Sequence, residues 1–382
     1  MNTQSEQYAL GLSVAGTGEG VHAVIAAVQV SGQALSLRQV RREWLELIEP
    51  LRKQLQQVLS GPAAGADLAT LDRDLGRAMA QAGAQTIAHA RLPRRKLTGA
   101  GVWGLGVAPT TTPGAPGRAA EIRFGSPAET AAKTGLPVVA DFARSDQAAG
   151  GRGGPLAAWV NYQLLHDPRK ARVVLDLGKV ATLTFLPAGG DVGDTVAYDL
   201  GPGTAVLDEL SRRHHDRPYD ADGGLAAQGR PRMEVVFDLL SAPYFNQPPP
   251  KRSFRADWQG MYLDWFDAVT TRAGLAGADL LATAAELTVE LVARGVAGLT
   301  QRPHEVILCG GGARNIALAM RLRDRLSPAS TVALERFDVD AASKDAFDAA
   351  ALAAARLAEI PANIPQVTGA DRAMLLGSVT RA

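Results

Sequence analysis

Asp199 ends a short apolar run and is followed at once by Gly201, Pro202 and Gly203, after which helical spacing begins at Ala205, Val206 and Leu210. The pattern predicts a strand, a tight turn and a helix N-terminus. Glycines let a ligand approach the main chain, and the first N–H groups of a helix carry partial positive charge, so such a turn suits a phosphate. A carboxylate beside it suits a general base. A turn or capping aspartate is the plainer alternative, and this stretch alone leaves both open.

Three other glycine-rich stretches could share that chemistry. Near the start, Gly16, Thr17, Gly18, Glu19 and Gly20 lie between two apolar runs, which reads as a hairpin whose turn amides could wrap phosphate oxygens. Arg172 to Leu186 repeats the arrangement, with Asp176 ending the first run and Leu177-Gly178-Lys179 as the turn. One such hairpin is ordinary; a second, about half a chain later, suggests a duplicated unit. The third stretch follows the buried run Val306–Cys309: Gly310, Gly311 and Gly312 leave a shelf free of side chains on which an adenine or ribose could lie, and Asn315 caps the next helix.

The elements that must position these residues are legible in outline. Helical periods are read over Leu37–Leu59, Leu68–Ala90, Asp279–Leu299 and Asp345–Leu357. Ser126-Pro127 opens a short helix that Gly135 stops, and Pro137–Ala140 is a buried strand with Asp141, Arg144 and Asp146 beyond its carboxyl end, where ligands bind in α/β sheets. A charged interdomain linker is the alternative there. Thr98 to Gly117, rich in Gly, Thr and Pro, reads as a long loop.

Composition narrows the class. A chain of 382 residues, 46% hydrophobic, is longer than one core usually supports, so two domains are expected. With 40 Lys+Arg against 39 Asp+Glu, the net charge of +1 gives no general attraction to nucleic acid or an anionic membrane. The lone Cys309 rules out an internal disulfide framework, and neither a signal peptide nor a membrane-spanning apolar run is present, so a cytoplasmic protein with a small-molecule partner is expected. Adjacent His214 and His215 project about 100° apart on a helix and chelate poorly.

The segments GSPAETAAKTGLPVVADFARSDQAAGGRGGPL, YDLGPGTAVLDE, YDADGGLAAQG, PYFNQPPPKR, LCGGGARN and IPANIPQVTGA, in that order, resemble the 1,6-anhydro-N-acetylmuramic acid kinases of bacterial cell-wall recycling, within the sugar kinase, Hsp70 and actin superfamily. The resemblance implies an α/β fold of two ribonuclease-H-like domains around a central cleft, here 1–152 plus 361–382 and 153–360. It implies an enzyme dependent on ATP and Mg2+ that adds water at the anomeric carbon of an anhydro-amino-sugar while phosphorylating the released O6.

On that resemblance Asp199 is the base. Gly16 to Gly20, Asp176, Gly178, Gly201 and Gly203 hold phosphates; Gly310, Gly311, Gly312 and Asn315 hold the nucleotide. Asp141, Arg144, Asp146 and Asp345 face the sugar, and Glu19 reaches the metal. A homodimer is left open. This chain departs from the family wording at the chemistry: GTSxDGxD becomes GTGEGVH, SHGQT has no counterpart, and NIGG becomes DLGK. Two readings follow, an active anhydro-sugar kinase and a catalytically silent relative that binds nucleotide, sugar or protein.

Overall fold

The computed structural model describes residues 6–61, 63–107 and 121–382. They form two compact units, the first drawn from the described residues up to 107 together with 121–164 and 337–382, the second from 165–336.

The first unit opens with β1 (Gln7–Val14), β2 (Gly20–Ser31), β3 (Ala34–Glu46) and β4 (Leu97–Trp103); β5 (Leu105–Val107) and β6 (Ile122–Phe124) pair as a small ribbon, and β7 (Val138–Ala140) follows. β1, β2 and β3 form an antiparallel meander, and β4 and β7 add to β1 in parallel. The second unit repeats the plan with β8 (Arg172–Leu177), β9 (Val180–Leu186), β10 (Val196–Pro202), β11 (Glu305–Cys309) and β12 (Ser330–Ala333), ordered β10-β9-β8-β11-β12. Again three antiparallel strands lead and two parallel strands follow. The C-terminal β13 (Ser378–Thr380) joins β7 antiparallel. Each unit is therefore an α/β body with the strand order of a ribonuclease-H-like domain.

Two expectations fail for physical reasons. Leu37–Glu46 is not helical: it is most of β3, paired with β2 along its length, and its alternating burial is that of a strand with one covered face. Helix begins only at Glu49. The start of the expected Thr98–Gly117 loop is β4, parallel to both neighbours, while residues 108–117 lie outside the described residues.

Two of the glycines that suggested a loop, Gly99 and Gly101, lie against a helix that covers the sheet. A methyl group at Gly101 would stand 1.9 Å from the Ala349 carbonyl oxygen, and one at Gly11 1.8 Å from that of Ala346. Glycine inside a strand marks such close backbone approach. The helix Lys344–Leu357 thus packs on β1 and β4, which puts it in the first unit and moves the return of the chain from 361 to about Phe337.

Each unit has its own core. In the first, Leu10, Leu12, Ile25, Leu71, Leu75 and Met79 are fully covered. In the second, Leu175, Leu183, Phe185, Trp258, Phe266 and Leu287 play that part.

Candidate functional site

Asp199 sits at the one irregularity of the second sheet. Along β10 the register with β9 shifts between Asp199, opposite Thr182, and Gly201, opposite Ala181, leaving Leu200 as a bulge. Bulges re-aim side chains. Directly opposed residues share a face, and Thr182 Oγ1 donates to Asp199 Oδ1 at 2.7 Å. The segment after the proline run straps the other side. Asp199 N–H donates to the Lys251 carbonyl at 3.3 Å, and Ser253 N–H donates to Asp199 Oδ2 at 2.9 Å. Tyr244 Oη donates to the Asp199 carbonyl at 2.9 Å.

The side chain is 5% exposed. Burial pushes its pKa up, opposed by the Ser253 and Thr182 hydrogen bonds and the charges of Arg252 and Lys251. A carboxylate so held has little freedom to rotate.

β10 leads into a junction of three glycine loops. A methyl group at Gly203 would lie 2.3 Å from the Gly178 carbonyl oxygen; at Gly312, 2.6 Å from that of Leu177; at Gly310, 2.3 Å from Asp176 Oδ1. Gly310 also has φ +79°. At Gly311 the added carbon would meet open space. The loops after β8, β10 and β11 therefore touch one another closely, and Gly311 faces open space.

The junction corrects the sequence reading at Gly203 and Gly201, while Asn315 caps the next helix as that reading expects. The N–H groups of Gly203, Thr204 and Ala205 donate to the carbonyls of Lys179, Gly178 and Lys179, so they knit the junction and do not await a phosphate. Gly201 is required by packing, since a methyl there would come within 2.7 Å of the Phe245 ring. Asn315 is 8% exposed and its Oδ1 caps the helix Ile316–Arg325 by accepting Leu318 N–H, which accounts for its type structurally. The Lys179 ammonium, which stands where a glycine was expected, is held by Asp208, itself bonded by Thr204 Oγ1 at 2.8 Å. Next to the shelf, Ile316 is 58% and Met320 51% exposed.

In the first unit the turn Ala15–Glu19 does join β1 to β2, closed by Ala15 N–H on the Gly20 carbonyl at 2.9 Å. Its inner glycines are packing positions. A methyl at Gly18 would meet Leu55 at 2.6 Å and one at Gly20 the Trp44 ring at 2.3 Å. Gly16 is exposed, and Glu19, half-buried, accepts from Thr17 Oγ1 at 3.3 Å. His22 lies against Trp44, ring centroids 4.6 Å apart.

Of the residues expected near a sugar, Asp146 is fully buried. Its oxygens accept Gly153 N–H at 2.8 Å, Asn363 Nδ2 at 2.7 Å and Thr368 Oγ1 at 2.6 Å, so it ties two loops together and is closed to a ligand. Asp141 and Arg144 remain open beyond β7 and pair at 3.6 Å. Asp345 is exposed in the first turn of the helix over β1 and β4. Arg123 lies 4.9 Å over Trp103, whose ring stacks on Phe142 at 5.8 Å. β4, β7 and this helix bring Trp103, Asp141 and Asp345 to one end of the first sheet, and β6 brings Arg123 over Trp103. Trp103 and Arg123 were missed, having no motif of their own.

Among the described residues no group of three or more His, Cys, Asp or Glu side chains gathers as a metal cage. The open Glu19 carboxylate fits the share of one or two oxygens that magnesium takes from protein when phosphates and waters complete its shell.

A family model described as anhydro-N-acetylmuramic acid kinase matches residues 7–382. A protein of that name from Xanthomonas axonopodis pv. citri is 37% identical over 85% of this chain and 86% of its own length. One from Gloeobacter violaceus is 34% identical over 93% of this chain and 94% of its own length. Among solved structures, component A of the Acidaminococcus fermentans (R)-2-hydroxyglutaryl-CoA dehydratase covers 92% of this chain and 99% of its own at 12% identity and TM-score 0.44, too distant to carry an argument.

Proposed function

Because the chain belongs to the anhydro-N-acetylmuramic acid kinase family, we propose that it opens the 1,6-anhydro ring of N-acetylmuramic acid with water while phosphorylating O6 from ATP. Water attacks C1 and the bond from C1 to O6 breaks. O6 takes the γ-phosphoryl group, and the products are ADP and N-acetylmuramic acid 6-phosphate.

The observation that carries this reading is Asp199 on the bulged strand that leads into the glycine junction. Asp199 takes the proton that the attacking water gives up. Thr182 and Ser253 hold its carboxylate by both oxygens, so the acceptor is fixed before the reaction begins. Phosphoryl transfer asks mainly for such positioning and for charge.

The open face at Gly311 is the place for the nucleotide base or ribose, with Ile316 and Met320 as apolar neighbours. Glycine at 310 and 312 lets the loops beneath it close up. Gly178, Asp176 and Lys179 border the junction on its phosphate side, and on the hairpin of the first unit Gly16, Thr17 and Glu19 are the residues that the family resemblance assigns to phosphate. Glu19 would hold Mg2+, which supplies charge neutralisation at the transferring phosphoryl group. For the sugar, Asp345, Asp141 and Arg144 offer polar contacts and Trp103 an apolar ring face. The reaction belongs in the cytoplasm, and among the described residues no helix is long and apolar enough to cross a membrane.

The test is ADP release from ATP and Mg2+ with and without the anhydro-sugar, with the product identified by mass spectrometry. Sugar-dependent release of ADP and a sugar 6-phosphate is the expected result. Nucleotide binding without sugar-dependent turnover would favour the silent relative instead.

A further inference from the structure

Lys179 stands at the turn between β8 and β9, where the family wording NIGG has glycine. Its main chain is already committed. The carbonyl accepts Gly203 N–H at 3.0 Å and Ala205 N–H at 3.2 Å, which ties the turn to the helix Ala205–His215. Its ammonium is bound to Asp208 in the first turn of that helix, with the lysine side chain 15% and the aspartate 12% exposed. An ammonium has three N–H donors, and Asp208 is its one partner among the described residues. Asp208 has a second donor in Thr204 Oγ1 at 2.8 Å. The carboxylate is thus held twice, while the ammonium is fixed in place with donors to spare.

Gly178, beside it, has no packing reason to be glycine. A methyl group there would come no nearer than 3.4 Å to the Val180 carbonyl oxygen and 3.5 Å to Asp176 Oδ1, which is ordinary contact. At Gly203, Gly310 and Gly312 it would lie within 2.6 Å of a neighbour. Nor does Gly178 have a left-handed φ. Close approach by something outside the chain is the remaining use of a glycine. An anion seated there would stand near the Asp176 carboxylate, so it needs a cation beside it.

Resting on the reading of this hairpin as a phosphate turn, we propose that Lys179 binds the phosphate oxygens of the nucleotide: Asp208 orients the ammonium through one donor, and the others meet a phosphate lying over Gly178. Part of the charge that Mg2+ brings to a nucleotide is thereby built into the chain, and that part does not need the metal.

Equilibrium binding of ADP and of adenosine to the full chain, both in EDTA, tests this. The wild type is expected to bind ADP more tightly than adenosine. Lys179→Met is expected to lower the affinity for ADP about tenfold or more and to leave adenosine unchanged, since only the phosphates lose a charged hydrogen bond. Unchanged ADP affinity overturns the proposal. Asp208→Asn breaks the same ion pair but leaves the ammonium, so it is expected to lose less; an equal loss in both variants means that the pair only braces the turn, and also overturns it. Circular dichroism establishes folding, and Lys179→Gly, which restores the residue of the family wording, decides the matter if Lys179→Met does not fold. ADP binding that depends on Lys179 without sugar-dependent turnover discards the reaction and keeps the lysine. A wild type that does not distinguish ADP from adenosine discards the phosphate turn, and the lysine's role with it.

Discussion

Thr182 and Asp199 are the last regular pair of β9 and β10 before the bulge, and Thr182 Oγ1 donates to Asp199 Oδ1 at 2.7 Å. That bond stabilises the ionised carboxylate and so opposes the burial that raises its pKa. Removing it raises the pKa further. In Thr182→Val the acid limb of kcat/KM therefore moves to higher pH. A hydrogen bond to a charged group is worth about 1.5–3 kcal/mol, so the loss below the limb is at least about tenfold. The pH profile of the purified variant measures it.

Gly311 and Gly312 are adjacent but differ in what an added methyl would meet, open space at the first and the Leu177 carbonyl oxygen at 2.6 Å at the second. Gly311→Ala is expected to leave thermal stability unchanged and raise KM for ATP. Gly312→Ala is expected to lower stability by about 1–3 kcal/mol through overpacking. Thermal melts beside nucleotide titrations separate the two effects.

Asp146 accepts three hydrogen bonds from two loops and is fully buried. Asp146→Ala leaves Asn363 and Thr368 without their acceptor, so stability falls by about 3 kcal/mol or more, each stranded polar group costing about 1–3. At a temperature where the variant stays folded, KM for the sugar is unchanged. A selective rise in that KM would return Asp146 to the substrate site.

Lys344 and Asp348 form an ion pair one turn apart in the helix over β1 and β4, each side chain 2% exposed. Burial outweighs the Lys344 charge and lifts Asp348 to about 6. A carboxyl raised in the folded state contributes stability below its unfolded value that is lost as pH rises through about 6. Breaking the pair with Asp348→Ala is expected to cost about 3–5 kcal/mol, while Lys344→Met with Asp348→Leu is near neutral or stabilising and removes that pH dependence. Denaturation at pH 5 and pH 7 reads both.

The parts of this fold legible in the sequence are those encoded locally. Pro127–Thr134, ended by Gly135 in a left-handed conformation, and the strand, turn and helix around Asp199 carry their signals within a dozen residues. Glycine misled wherever its reason was a distant partner. Gly99 and Gly101 look like loop residues until the helix across β4 is known, and Gly18, Gly20 and Gly201 look like phosphate turns until Leu55, Trp44 and Phe245 are seen beside them.

Acidic residues divide in the same way. Asp199 lies within β10 and Asp146 in the helix beyond β7, and Asp146 is closed in by residues more than two hundred positions away. Thr182 and Ser253, whose hydrogen bonds hold the Asp199 carboxylate, are three-dimensional neighbours that no spacing in the chain announces. Leu37–Glu46 was misread because its charged residues suit a solvent-facing helix as well as an edge strand.

The most direct measurement is sugar-dependent ADP release by Asp199→Asn. Asparagine keeps the size of the side chain and cannot take a proton from water, so turnover is expected to vanish while the thermal shift with ATP and Mg2+ persists. Turnover equal to that of the wild type would contradict the account.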